Sequence, residues 1–302
     1  MTAFYFWGVV IVSFFFYNAV LIFGVDMDFF EAVVFIISAV GALWLLIPWY
    51  KTLSKAWPKE RCRRARTALK LLPPASFVII LVILLTLADP TVSGSAFWTF
   101  FYIVLGFWWI SVGLYLANHC FDLSWRDDVV NQNRDEPAVF PVIGSFVGLS
   151  LIYAGANVGD GPGWWCVLFA GGLGIAVWLL LGHIVHKMTG AFDTITIDRD
   201  VPCGIRMGFY LTASGLILAK ASSGDWTSFG ATVTEFLVGW YVLPLTAVAI
   251  FVEKLYAEKR EATGQSHRKH QSAGAEIFPA VAWGVAYIIM AAVTVVGVNT
   301  WM

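Results

Sequence analysis

The side chains able to do chemistry in this chain are few, and they sit among long apolar runs. Lys220 lies near the end of one run and Glu235 at the start of the next, so antiparallel neighbours would hold them at a similar depth. An ion pair between them could line a water-filled path for an ion or small solute, because charges within membrane helices tend to mark function. The plainer alternative is that Lys220, close to Asp225, carries its ammonium to the headgroups on its flexible stem. A retinal-type Schiff base on Lys220 would need a carboxylate opposite it inside the membrane, and the sequence presents none there. Arg206 falls about one turn inside its run. It suits a structural role, bonding to loop carbonyls or pairing with Asp122 or Asp135, and alternatively an anion site shared with Arg199 at the helix start. His183 and His186 share a helix face at i, i+3 spacing. With His119, Cys120 or Cys203 they could assemble a metal site, but no carboxylate–histidine pattern or paired-cysteine spacing accompanies them. No metal or other cofactor is therefore assigned. Phosphate loops, nucleophile motifs, dinucleotide-binding glycines and nucleic-acid signatures are all missing from the sequence, which leaves an enzyme as the weakest functional class and nucleic acid outside the expected partners.

The elements that must position these residues are membrane helices. The chain is 59% hydrophobic and 13% charged, against roughly 25% charged in an ordinary soluble domain. Apolar runs occupy residues 3–24, 29–50, 71–88, 97–117, 138–157, 164–186, 203–221, 236–256 and 277–298. Most match the roughly 17–25 residues that cross a bilayer as helix, the form that satisfies its own backbone polar groups. The third run is the shortest and could extend back to Thr67. The first, lacking a basic flank and a small-residue cleavage site, reads as a retained span and not a signal peptide. Nine spans with a cytoplasmic N-terminus place every Lys and Arg except Lys220 on the cytoplasmic side, as the positive-inside rule requires. Cys62, Cys120 and Cys203 then face the reducing side and Cys166 stands alone, so no disulfide framework is expected. The sequence thus predicts an all-α polytopic membrane helix bundle of about nine transmembrane helices.

One segment of this bundle occurs twice. Arg134-Asp135-Glu136-Pro137 opens a run ending at Gly159-Asp160, and Arg199-Asp200-Val201-Pro202 opens another ending at Gly224-Asp225. Without a gap, the two segments agree at nine of 27 positions. The unit is a pair of spans, and two spans preserve direction, so the copies form an internal parallel repeat with an axis along the membrane normal. Proline just after Arg-Asp suits a first helical turn, and aspartate favours a helix start. This divides the chain into an N-terminal three-span segment with a basic cytoplasmic loop (1–96), a first two-span repeat (97–157), a second (158–225) and a C-terminal two-span segment (226–302). Gly144, Gly148, Gly171, Gly172, Gly174, Gly208 and Gly215 are expected to let helices approach closely, and Pro141 and Pro244 to kink theirs. Tryptophans at span ends, among them Trp49, Trp98, Trp164 and Trp226, read as interfacial belts. The acidic first connector, with Asp122, Asp127, Asp128, Asp135 and Glu136, could dock on the basic loop at 51–70 or attract cations or a partner. Asn18 is expected to bond between helices.

The stretch Asp198-Arg-Asp-Val-Pro-Cys-Gly-Ile-Arg206-Met-Gly208, followed by Gly215-Leu-Ile-Leu218 and Gly224-Asp-Trp226, resembles the YjfL-like bacterial inner-membrane family. The resemblance covers roughly residues 97–260 and is weaker in the first copy, where Val139 and Pro141 stand in place of Gly204 and Arg206. It implies a duplicated two-span fold and a multi-pass location in the bacterial inner (cytoplasmic) membrane. It carries no reaction. The association of such proteins with polyamine-related synthetases and envelope-stress proteins implies a cytoplasmic partner. Two functions are expected on these grounds. One is a channel- or transporter-like protein for a small ion or solute, with Lys220, Glu235, Arg206 and the repeated Arg-Asp pairs facing a cavity. The other is a non-transporting membrane scaffold that recruits cytoplasmic proteins through its charged face and has a closed, glycine-packed interior. Beyond the lipid bilayer and that partner, glycine faces also allow a homo-oligomer.

Overall fold

The computed structural model describes residues 27–55, 63–130, 137–262 and 273–301. Among them every regular element is helical, apart from one isolated bridge between Ala88 and Gly159. Helix α1 spans Phe29–Lys55 and starts at a reciprocal cap. The Asp28 amide donates to the Glu31 carboxylate at 2.9 Å, and the Glu31 amide donates to the Asp28 carboxylate at 2.7 Å. Helix α2 (Arg63–Thr86) returns beside it, the short α3 (Pro90–Ser93) begins at the cap residue Asp89, and α4 (Ala96–Phe121) follows Ser95. A π-helical turn over Trp125–Val130 leads towards α5 (Val139–Gly155). Helix α6 (Trp164–Thr189) ends at the left-handed Gly190, and α7 (Ala191–Thr196) turns the chain into α8 (Val201–Ala221). Helix α9 (Phe229–Phe236) runs through a 3-10 turn over Leu237–Tyr241 into α10 (Val242–Ala262), and α11 spans Ala273–Trp301.

Seven helical stretches of the described chain are long and apolar enough to cross a membrane, which makes it a multi-pass membrane protein. Two of the expected runs differ in length from the helices observed. The run at 3–24, with Asn18, lies outside the described residues. The expected shortest span is instead a full helix from Arg63, with Pro73 and Pro74 inside it. The short one is α5, whose 17 residues reach only about 25 Å. Pro141 is the third residue of α5, where the missing donor costs little. Pro244 follows the 3-10 turn, which covers the Trp240 carbonyl that its ring would crowd in a regular α-helix.

Helix α8 is the centre of the bundle, with α5, α11, α6 and α10 around it. Its seam with α5 is set by glycine. A Cβ on Gly144 would overlap the Gly208 carbonyl, one on Gly204 the Pro137 carbonyl and one on Gly155 the Ala219 carbonyl, while one on Gly148 would stand 2.6 Å from the Leu211 oxygen. These contacts rise in step along both chains, so α5 and α8 run parallel with their backbones touching. Large exposed apolar side chains such as Trp44 on α1 and Phe278 on α11 form the outer surface. Trp49, expected in an interfacial belt, is instead fully buried. Its indole N–H donates to the Leu69 carbonyl at 3.0 Å, and its ring packs on Trp125 and Phe146. The carbonyl it reaches lies in α2, so the α1–α2 hairpin draws it inward.

Candidate functional site

The bundle has a basic end, where α1, α4, α6 and α10 finish and α2, α5, α8 and α11 begin, and an acidic end opposite. A polar centre lies inside the basic end. Arg206 enters it from the second turn of α8 and is held by Glu253 of α10. The guanidinium donates through Nε to Oε1 at 2.6 Å and through Nη2 to Oε2 at 2.8 Å, and both residues are at most 2% exposed. Such a two-pronged bond is the geometry in which a buried charge is tolerated, because desolvation of each ion is offset by its partner. The Cys203 thiol donates to the same Glu253 Oε2 at 3.4 Å, and the Tyr256 ring lies 4.1 Å under the guanidinium carbon. Tyr210 and Thr246 share a bond of 3.0 Å close by. Since the Thr246 hydroxyl already donates to the Val242 carbonyl, the phenol must be the donor. Two donors in this centre have no partner, Arg206 Nη1 and the Tyr287 hydroxyl, although each residue is 1% exposed.

A rim of weaker pairs surrounds this centre. Asp200 occupies the N-cap position of α8, but its carboxylate leaves its own helix uncapped and takes Arg260 Nη1 at 2.5 Å. Burial pushes the Asp200 carboxyl above its usual 3.8, and Arg260 and Arg206 only partly oppose this. Arg199, held at φ 60°, donates to the Asp128 carbonyl at 3.1 Å and stands 3.9 Å from its carboxylate. Burial likewise raises the Asp128 carboxyl. Lys259 meets Glu276 at 3.5 Å. The start of α8 is thus tied to α10 at Arg206 and at Asp200, and to the π-helical turn at Arg199. Of the repeated motif, Pro137 is buried against Gly204 and Pro202 lies in the first turn of α8, while Arg134 and Asp135 fall outside the described residues.

This corrects one expectation. Arg206 does not pair with Asp122, which closes α4 in a left-handed conformation and is exposed. It pairs with Glu253, a carboxylate inside the run at 236–256 that is not among the expected partners. A signal is nonetheless present in the spacing. Val242, Leu245, Thr246, Ala249, Val252 and Glu253 form the buried stripe of α10 at helical period, and Glu253 lies on it as an apolar residue would.

The histidines do not converge with the cysteines. His183 Nδ1 is 3.2 Å from the Cys120 carbonyl and therefore donates to it. His186 Nδ1 has no partner, and the two rings are 6.4 Å apart. His119 bonds within its own helix to Tyr115, and Cys203 belongs to the Glu253 centre. Among the described residues no three His, Cys, Asp or Glu side chains are grouped to hold a metal ion.

At the acidic end a cleft of about 50 Å³ opens between the ends of α5 and α8. Asp89, Asn157, Asp160, Asp225, Trp226 and Glu235 line it. The two loops beyond these helices are laced together. The Gly224 amide donates to the Val158 carbonyl at 3.0 Å, the Trp226 amide to the Asp160 carbonyl at 2.7 Å, and the Asp160 amide to the Asp225 carboxylate at 2.8 Å. Gly159 and Gly224 both have positive φ, and a Cβ on Gly159 would stand 2.6 Å from Gly224 backbone. The Asp89 carboxylate caps α3 through Thr91 and also takes the Gly161 amide at 3.4 Å. The Thr91 hydroxyl holds it below its usual 3.8. Glu235 reaches this cleft because the helix starts early, at Phe229, which puts it in the second turn of α9 instead of at the start of a span. It forms no ion pair with Lys220. The Glu235 carboxylate lies beside Gly224, and the half-buried Lys220 is absent from the cleft lining.

Searches with the sequence and the fold find no matching family model, curated protein or solved structure.

Proposed function

We propose that this chain is a membrane transport protein for a small cation or cationic solute, with the cleft at its acidic end as the mouth. The observation that carries this reading is the cleft itself, where carboxylates from four separate segments face one small space between the ends of two central helices. Carboxylate-lined concavities with low-dielectric walls concentrate cations. The parallel α5 and α8, whose facing residues lie close to the offset of the Arg-Asp-x-Pro segments, support the internal repeat, and solute sites of duplicated transporters lie at repeat interfaces. The charge bias of the loops supports a cytoplasmic basic end and nine spans in all. Residues 198–226 support membership of the YjfL-like family and with it a bacterial inner-membrane location. Cation flux into proteoliposomes, compared between the native chain and Asp225→Asn, tests the reading.

A second reading is the scaffold that recruits cytoplasmic proteins. One observation favours it: the α5–α8 seam is closed by backbone contact at Gly204, Gly144, Gly148 and Gly155. Absence of flux for any cation, with specific capture of a partner on the basic end, would select it.

A further inference from the structure

We infer that the Arg206–Glu253 pair is a releasable latch: it holds the basic end shut in this conformation, and its release opens a path from that end to Cys203. The inference deepens the transport reading, which requires such an end to open, and it rests on three features of the centre.

The first is convergence. Arg199, Asp200 and Arg206 all belong to the start of α8, and each pairs with a residue outside that helix. These pairs hold one short stretch of chain against α10 and the π-helical turn. If all three let go, the α8 start can separate from α10 without any break in a helix.

The second is incompleteness. Arg206 Nη1 and the Tyr287 hydroxyl are buried without partners beside an otherwise well-bonded pair. A buried donor left unmade is costly, and a fixed structural brace would be expected to use both. Donors unsatisfied in one arrangement are available to a second, in which water or other groups reach them.

The third is that one carboxylate serves both buried groups of the centre. Glu253 is the common acceptor of Arg206 and Cys203, and Tyr256 contributes only its ring face. Neutralising Glu253 therefore loosens the guanidinium and leaves the thiol only the Ala191 carbonyl, at 3.6 Å.

Cys203, fully buried against Glu253, is a built-in reporter, and Cys166, buried at the opposite end, is its control. With Cys62 and Cys120 replaced by serine, the full-length protein in liposomes is treated with N-ethylmaleimide, and each remaining cysteine is followed by mass spectrometry. Glu253→Gln is expected to raise the Cys203 labelling rate about tenfold or more, with the Cys166 rate unchanged. Arg260→Gln, which breaks only the partly exposed pair with Asp200, is expected to raise it about threefold. That variant also serves if Glu253→Gln does not fold. An unchanged Cys203 rate in folded variants overturns the latch, and so does a parallel rise at Cys166, which would mean general loosening. Labelling needs no solute. Silent flux with reactive Cys203 would therefore retire the transport reading and keep the latch, whereas flux with inert Cys203 would do the reverse.

Discussion

Glu253 grips Arg206 through both carboxylate oxygens, at 2.6 and 2.8 Å, across 47 residues of sequence and within the apolar body of the bundle. Neither residue has an exposed surface through which water could substitute for the other. The pair is therefore interdependent, and its two members should fail together.

Replacing either residue alone leaves a buried charge uncompensated. Glu253→Leu and Arg206→Met should each destabilise by about 3–5 kcal/mol, whereas the double replacement should cost less than either single change. Thermal unfolding in detergent, followed by tryptophan fluorescence, measures the cycle. Additive losses would show that the two side chains act independently.

The α5–α8 seam tolerates no added methyl. Gly144→Ala drives a Cβ into the Gly208 carbonyl, which is backbone and cannot step aside, and should cost about 1–3 kcal/mol. A methyl added at Gly230, in α9, would meet nothing within 4 Å. Gly230→Ala should be neutral or stabilising by up to about 1 kcal/mol. Melting temperatures of the two variants side by side provide the check, and equal effects would contradict the close seam.

At the acidic end, Asp225→Asn keeps an oxygen for the Asp160 amide and removes a charge. Cation flux should fall about tenfold at low salt and less at high salt, as expected for electrostatic attraction at a mouth. Asp225→Ala, which also unties the loops, should add a loss of thermal stability. Undiminished flux in both variants would remove the cleft from the pathway.

Two carboxylates should give opposite responses to acid. Asp89 is held below 3.8, chiefly by the Thr91 hydroxyl, so the stability it contributes is present above that pH and is lost as pH falls through its lowered value. Asp200 is raised by burial, so its contribution is full below 3.8 and fades as pH rises through its elevated value. Relative to the native chain, Asp89→Ala should lose less stability on acidification, and Asp200→Asn should lose less as pH rises from 3.8. Unfolding temperature against pH for the three proteins decides both signs.

The helices are readable in the sequence because bilayer thickness fixes their length and composition, and the helix start at Asp200-Val-Pro202 because proline and aspartate fit only one end of a helix. The glycine seam is readable in kind, since small residues in apolar helices mark close approach. The partner of Arg206 is not. Nearest charged loops are the natural candidates for a membrane arginine, and the pairing with Glu253 depends on how α10 is rotated, which no local pattern fixes. Its one trace, a carboxylate on a buried stripe, can be read only once the stripe is known to face α8. Lys220 and Glu235 come together only if a span begins near Phe236. The earlier helix start at Phe229 carries Glu235 to the cleft and leaves Lys220 outside it.

The parallel course of α5 and α8 has an electrostatic consequence for the cleft. Consecutive spans alternate in direction, so the peptide dipoles of most neighbours cancel. These two point the same way, and each leaves the equivalent of about half a negative charge at its C-terminal end. Offset in part by the start of α6 at Gly163, which lines the same cleft, their sum is a potential built from backbone and independent of every side-chain proton. A cation at this cleft would meet that field even in acid strong enough to neutralise the carboxylates around it.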